Sequence, residues 1–234
     1  MSINMEEVQT NLEQIEEMEA ALLEPEVITE PEVGEVMVFG DPFEVGQNLD
    51  DCQGDNEFDA KGNCGLLTIT NMLRLGGFDV TESDVTKFAL DNRLCADGFW
   101  MDPYSRGGTT VMDRQEILAC YGIESSYTFE TDGAGSLSEI ARWVEQGHGV
   151  NISINAGYAW DSPESIGDGS SNHSILVTGT AYDPQTGEFR GLYVCDSGLT
   201  DQDSKAYFLS AERLQDCYVD VPGASMLVTD QPIR

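Results

Sequence analysis

Basic residues are scarce in this chain. Eleven lysines and arginines stand against forty-three acids, for a formal net charge of -32, and none of the eleven precedes Lys61. A surface of that sign repels nucleic acid and anionic lipid headgroups, which excludes both as partners and favours a basic peptide or protein. Long apolar runs are missing as well. No stretch approaches the roughly 18 apolar residues of a membrane span. The stretch MSINMEEVQTNLEQIEEMEAALLEPEV has neither the basic residues nor the apolar core of a Sec signal peptide. The expected location is the cytoplasm, or outside the cell by a route that needs no such signal. The cysteines at 52, 64, 95, 120, 195 and 217 form no CxxC pair. Neither a disulfide scaffold nor a zinc site is expected, and no cofactor is called for. Cys95, Cys120, Cys195 and Cys217 read as small buried hydrophobes. Histidine is limited to His148 and His173, so any imidazole chemistry has two candidates.

What is present is enough for one substantial core. The chain has 234 residues, 40% of them hydrophobic. Composition changes near residue 50. Before it, Val8, Leu12, Ile15 and Met18 make a narrow helical stripe, and "LEPEVITEPEVGEV" alternates acids, prolines and valines. Residues 1–50 therefore read as an acidic, flexible leader with a short amphipathic helix: a tail, a propeptide, an export segment or a docking helix. If it is a propeptide, "VGEVMVFGDPF" belongs near the reactive cleft. Residues 51–234 read as one α+β domain. Helices are expected at 64–76, 82–91, 109–121 and 136–146. Strands are expected at 124–129, 149–155, 174–182, 189–196, 205–210 and 225–229, forming an antiparallel sheet after a helical half.

The stretch "KGNCGLLTITNML" carries the chemistry. A turn ends at Cys64, and Leu66, Ile69 and Leu73 begin an amphipathic helix, so Cys64 occupies its first turn. Unpaired N–H groups and the positive end of the helix dipole favour a thiolate there. A thiol nucleophile needs a base, and the base an orienting group. His148 lies between two glycines, as a helix-capping or surface residue would. His173 opens the strand "SILVTGTAYD", twelve residues before the turn centre near Gln185, and Asp196 lies eleven after it. An antiparallel hairpin of that register brings the two side by side, where Asp196 can accept the Nδ1–H of His173.

"GNCG" opening a helix, then "NHSILVTG", then "YVCDSG" resembles the papain-like cysteine peptidases, specifically the C39-like branch, over most of residues 51–234. "GGTTVMDRQEILACYGIESSY" and "LSEIARWVEQGHGVNISIN" are similar to that family's later helices and central strand. The resemblance implies a papain-like fold and a peptide or isopeptide hydrolase. Cys64 would be its nucleophile, His173 its base and then acid, and Asp196 the orienting group. An upstream glutamine would share the oxyanion with the Cys64 N–H. The family's glutamine stands about six residues before the cysteine, where this chain has Phe58. Gln53 is the nearest substitute, with Asn56 as the alternative donor. Asn63, Tyr158 and Trp160 are the candidate substrate-binding residues, with Asp161 in the same loop. The same three groups would equally serve a deamidase, or a transglutaminase-like acyl transferase used as a bacterial effector or toxin. An idle adaptor of the same fold is the non-enzymatic alternative.

Overall fold

The computed structural model describes residues 25–49, 52–98, 102–129, 135–199 and 204–234. The stripe from Val8 to Met18 lies outside them. Strand β1 (Glu26–Glu30) and strand β2 (Gly34–Phe39) form a hairpin, followed by the short helix α1 (Pro42–Gln47). Three helices come next: α2 (Cys64–Leu75), α3 (Glu82–Asn92) and α4 (Val111–Cys120). Both α3 and α4 begin with capping boxes, Thr81 with Asp84 and Thr110 with Asp113, which satisfy the first free N–H groups reciprocally. After them run β3 (Ser125–Phe129), α5 (Gly135–Glu145), β4 (Val150–Ile154) and the single turn α6 (Ala156–Ala159). The chain finishes with β5 (His173–Tyr182), β6 (Phe189–Cys195), β7 (Tyr207–Ser210), the turn α7 (Ala211–Leu214) and β8 (Ser225–Thr229).

Among the described residues these strands make one sheet, every pairing antiparallel, in the order β1-β2-β5-β4-β8-β3. β6 lies along the other edge of β5, and β7 lies outside β6. The class is α+β with an antiparallel sheet, as the order of helical and strand patterns implies. Strand alternation sorts the core into two layers. Val150, Ile152, Ile154, Ile175, Val177, Met226 and Val228 face α5 and its Ile140 and Val144. Leu176, Cys195 and Leu227 face the other way, onto Leu66, Ile69 and Leu73 of α2 and Leu118 of α4. In β4, β5 and β8 that second face also carries Asn151, Ser153, Ser174 and Ser225, all buried. Polar strand residues thus lie under the start of α2.

The boundary expected at residue 50 is crossed by the hairpin. Met37, Val38 and Phe39 pair with Tyr182, Ala181 and Thr180 of β5. Val36 and Val38 alternate into a cluster with Tyr193 and Phe208, and the Tyr193 hydroxyl donates to Glu30 Oε1 at 2.5 Å. The acids did not prevent this because most of them lie on the solvent side of β1 and β2. Gly34, at φ 85°, lets the chain reverse. The "VGEVMVFGDPF" segment therefore lies against the Thr180–Tyr182 end of β5, the end away from His173. Two cysteines also differ from expectation: Cys195 and Cys217 are buried, whereas Cys95 is half-buried and Cys120 exposed.

Candidate active site

Cys64 is the first residue of α2 and is half-buried. The residue before it, Asn63, occupies the N-cap position but its side chain makes no capping bond. That amide turns inward to Glu82 Oε1 at 2.5 Å and Thr86 Oγ1 at 3.3 Å. The opening N–H groups of α2 are consequently not consumed by a cap, and their field falls on the thiol. Gly65 follows because a Cβ there would meet Thr109 Oγ1 at 2.1 Å.

His173 and Asp196 are brought together as their register implies, although bulges interrupt the β5–β6 ladder between them. His173 Nε2 donates to Asp196 Oδ1 at 2.7 Å, and both residues are buried. The nitrogen differs from expectation: Nε2, not Nδ1, faces the carboxylate, which leaves Nδ1 for the hydrogen bond between His173 and Cys64. Trp160 packs against both members of the pair. Its indole crosses the imidazole at 5.1 Å and 64°, and its Nε1–H donates to Asp196 Oδ2 at 2.8 Å. Gly198 N–H supplies a third donor to the carboxylate at 2.9 Å. A side chain at 198 would strike Trp160, since a Cβ there comes within 2.4 Å of the indole. The glycine of "CDSG" is thus required by packing.

Electrostatics follow from this packing. Burial opposes charge on all three groups, and their mutual interactions overcome it. The Cys64 thiol is lowered despite burial, by the His173 hydrogen bond and charge, by the Arg114 charge and by the N–H of Ser174. The His173 imidazole is raised despite burial, by Asp196 first and Cys64 second. Asp196 is lowered, again against burial, by His173, Trp160 and Gly198. Other thiols go the opposite way: burial pushes Cys95 up to about 11 and Cys217 up to about 12. Of these three thiols only Cys64 is shifted toward the thiolate.

Gln53 joins this cluster from eleven positions upstream. Its N–H and its Oε1 bind the Ser197 carbonyl at 3.2 Å and hydroxyl at 3.0 Å, and Nε2 donates to Lys61 O at 2.9 Å. One N–H of that amide remains beside the loop leading to Cys64. Asn56 is no substitute, because its amide donates to Ala60 O and Glu82 Oε1 and its oxygen accepts from Phe58 and Ala60. Asn63 is fully buried and cannot touch a substrate with its side chain. Tyr158, 38% exposed, turns into a cleft with Asp161, Glu212 and Arg213 whose lining includes none of Cys64, His173 and Asp196. Of the three binding candidates only Trp160 belongs to the cluster, as a support for the His–Asp pair. Arg114, Glu82 and Ser174 were not anticipated. Arg114 carried a signal: with Val111 and Ile117 it lies at steps of three on the buried face of α4, where an arginine is out of place.

No family model matches the chain. Relatives include the uncharacterized proteins Mb1299c of Mycobacterium bovis and Rv1268c of Mycobacterium tuberculosis, each 35% identical over 86 residues, 33% of this chain. The chain spans 37% of the length of those relatives. Similar solved structures include the SERA5 proenzyme from Plasmodium falciparum, with a TM-score of 0.45 and 12% identity over 83% of this chain and 65% of that one. SERA5E from the same organism gives 0.40 and 14% over 83% and 94%.

Proposed function

We propose that this chain is a thiol-dependent hydrolase of the papain-like, C39-like kind, cleaving a peptide or isopeptide bond through an acyl-enzyme. The carrying observation is the grouping at the start of α2: the Cys64 thiol is lowered by the neighbouring His173, whose Nε2 is held by the buried Asp196. In this reading the Cys64 sulfur attacks the carbonyl carbon, and the oxyanion is met by the Cys64 N–H and the remaining Gln53 amide hydrogen. His173 Nδ1 passes its proton to the leaving amine, and then takes one from the water that breaks the thioester. Asp196 stays ionised throughout and holds the ring. The net charge of -32 favours a basic substrate that approaches by electrostatic attraction.

The test is a thiol-directed activity probe on the whole protein at pH near 6, followed by peptide and isopeptide substrates rich in lysine and arginine. Labelling at Cys64 ahead of the other five cysteines, with substrate cleavage lost in Cys64→Ser, is the expected result. Uniform labelling of accessible thiols would sink the activated-thiolate argument. Amine incorporation or ammonia release without cleavage would replace hydrolase by transferase or deamidase.

A further inference from the structure

A cation is buried beneath the first turn of α2 with no anion at its side. Arg114 is 4% exposed, and no carboxylate lies within ion-pair distance of it among the described residues. Its guanidinium is solvated instead by hydroxyls: Nη1 donates to Ser174 Oγ at 2.6 Å and Nη2 to Ser153 Oγ at 2.8 Å. Ser225 and Asn151 buttress those serines from β8 and β4. Arg114 Nε finds no acceptor among the described residues. Hydroxyl dipoles replace part of the lost hydration but none of the missing charge, so a guanidinium left this way is costly. Burial lowers its pKa to about 10, and it remains a cation at neutral pH.

The anion that can answer it is the thiolate. The arginine stem lies against the start of α2, where a Cβ on Gly65 would come 3.1 Å from Arg114 Cδ. Ser174 links the two groups: its hydroxyl accepts from Arg114 Nη1, and its carbonyl shares the Thr68 hydroxyl with the Cys64 carbonyl. We propose that Arg114 is a positioning residue for Cys64, a permanent buried cation that favours the thiolate and anchors Ser174 beside it.

This rests on Cys64 being the nucleophile, and it adds a charge that, unlike that of His173, stays in place through every step. Once His173 has given up its proton, only Arg114 remains charged beside the sulfur. In the thioester the sulfur is neutral and Arg114 loses the stronger of two anionic influences, keeping that of Asp113. When water adds to the acyl carbon and the C–S bond breaks, its electron pair returns to sulfur as the thiolate. Arg114 makes sulfur the better leaving group for that step.

The experiment follows the rate of iodoacetamide alkylation at Cys64 against pH, read by mass spectrometry, which reports thiolate without needing turnover. Arg114→Gln retains a donor for Ser174 but no charge, and Arg114→Lys retains the charge. The inflection for thiolate formation should rise by about one pH unit or more in Arg114→Gln and by less than about half a unit in Arg114→Lys. A folded Arg114→Gln with the wild-type inflection overturns the proposal. Should that variant fail to fold, the wild-type protein decides. The Arg114 Nε–H resonance should shift with the Cys64 step, and a resonance that ignores that step overturns the proposal too. A wild-type protein with a low thiolate inflection that cleaves no peptide or isopeptide removes the hydrolase reading instead, leaving the Arg114 linkage intact.

Discussion

The two histidines of this chain sit in nearly matched surroundings. Each is 6% exposed, and each packs its ring against a tryptophan: His148 against Trp143 at 4.6 Å, His173 against Trp160 at 5.1 Å. What differs is the partner. His148 Nδ1 donates to the Thr229 carbonyl at 2.6 Å, a neutral acceptor that ties β8 to the turn after α5. His173 lies between a carboxylate and a thiol. Burial and aromatic packing make a histidine rigid. Both histidines share these, and what raises His173 is the pair of groups on either side of it.

The sharpest way to break this comparison is to remove each ring. His173→Ala and Cys64→Ala should each lower kcat/KM for a cleaved peptide by about three orders of magnitude or more. His148→Gln should do the reverse, destabilising the fold by about 1–3 kcal/mol in urea titration while leaving kcat/KM within about twofold. Loss of turnover in His148→Gln would show that the contrast has been drawn in the wrong place.

Asp196→Asn should retain the fold and cut kcat by about two to four orders of magnitude. It should also move the alkaline limb of the pH profile to lower pH. Asp196 is the main group raising His173, so its removal lets burial pull the imidazole down. Trp160→Phe keeps the ring over the imidazole but deletes the donor to Asp196 Oδ2, and should cost about tenfold in kcat.

The smallest effect is on stability against pH. His173 has its folded pKa raised above the unfolded value of 6.5, so its contribution is fully present below about pH 6.5 and is lost as pH rises through the folded value. Asp196 is lowered from 3.8, so its contribution is present above that value and is lost on further acidification. The melting-temperature gap between wild type and His173→Gln should be widest near pH 5–6 and narrow toward alkaline pH. A gap independent of pH would remove the imidazolium from the folded state.

Much of the site could be read from residue order alone, because its parts are marked by local grammar. A turn ending at Cys64, a hydrophobic stripe at steps of three and four, and a hairpin centred near Gln185 place three side chains without any long-range knowledge. What could not be read depends on contacts far apart in sequence. The His173–Asp196 pair is braced by Trp160, a loop residue whose role looked like cleft lining. Asn63 reads as a polar residue beside a reactive thiol, yet Glu82, nineteen positions on, draws it inside. The β1–β2 hairpin was hidden by its acids. Val36 and Val38 did alternate as a strand requires, but their partners, Tyr193 and Phe208, lie more than 150 positions away.

That distance has a consequence for the life of the chain. The bonds that complete the site close long loops: Gln53 with Ser197 spans 144 residues, and Thr68 with Ser174 spans 106. At roughly 5–20 residues per second of synthesis, the second interval alone lasts roughly 5 to 20 s. During it Cys64 has left the ribosome without its imidazole, its Ser174 N–H or the β4 and β5 serines that seat Arg114. The sulfur is then an ordinary thiol, close to its usual value of 9.0 and mostly protonated at neutral pH. Non-local topology delays folding, and here the delay keeps Cys64 an ordinary thiol until β5 has been made.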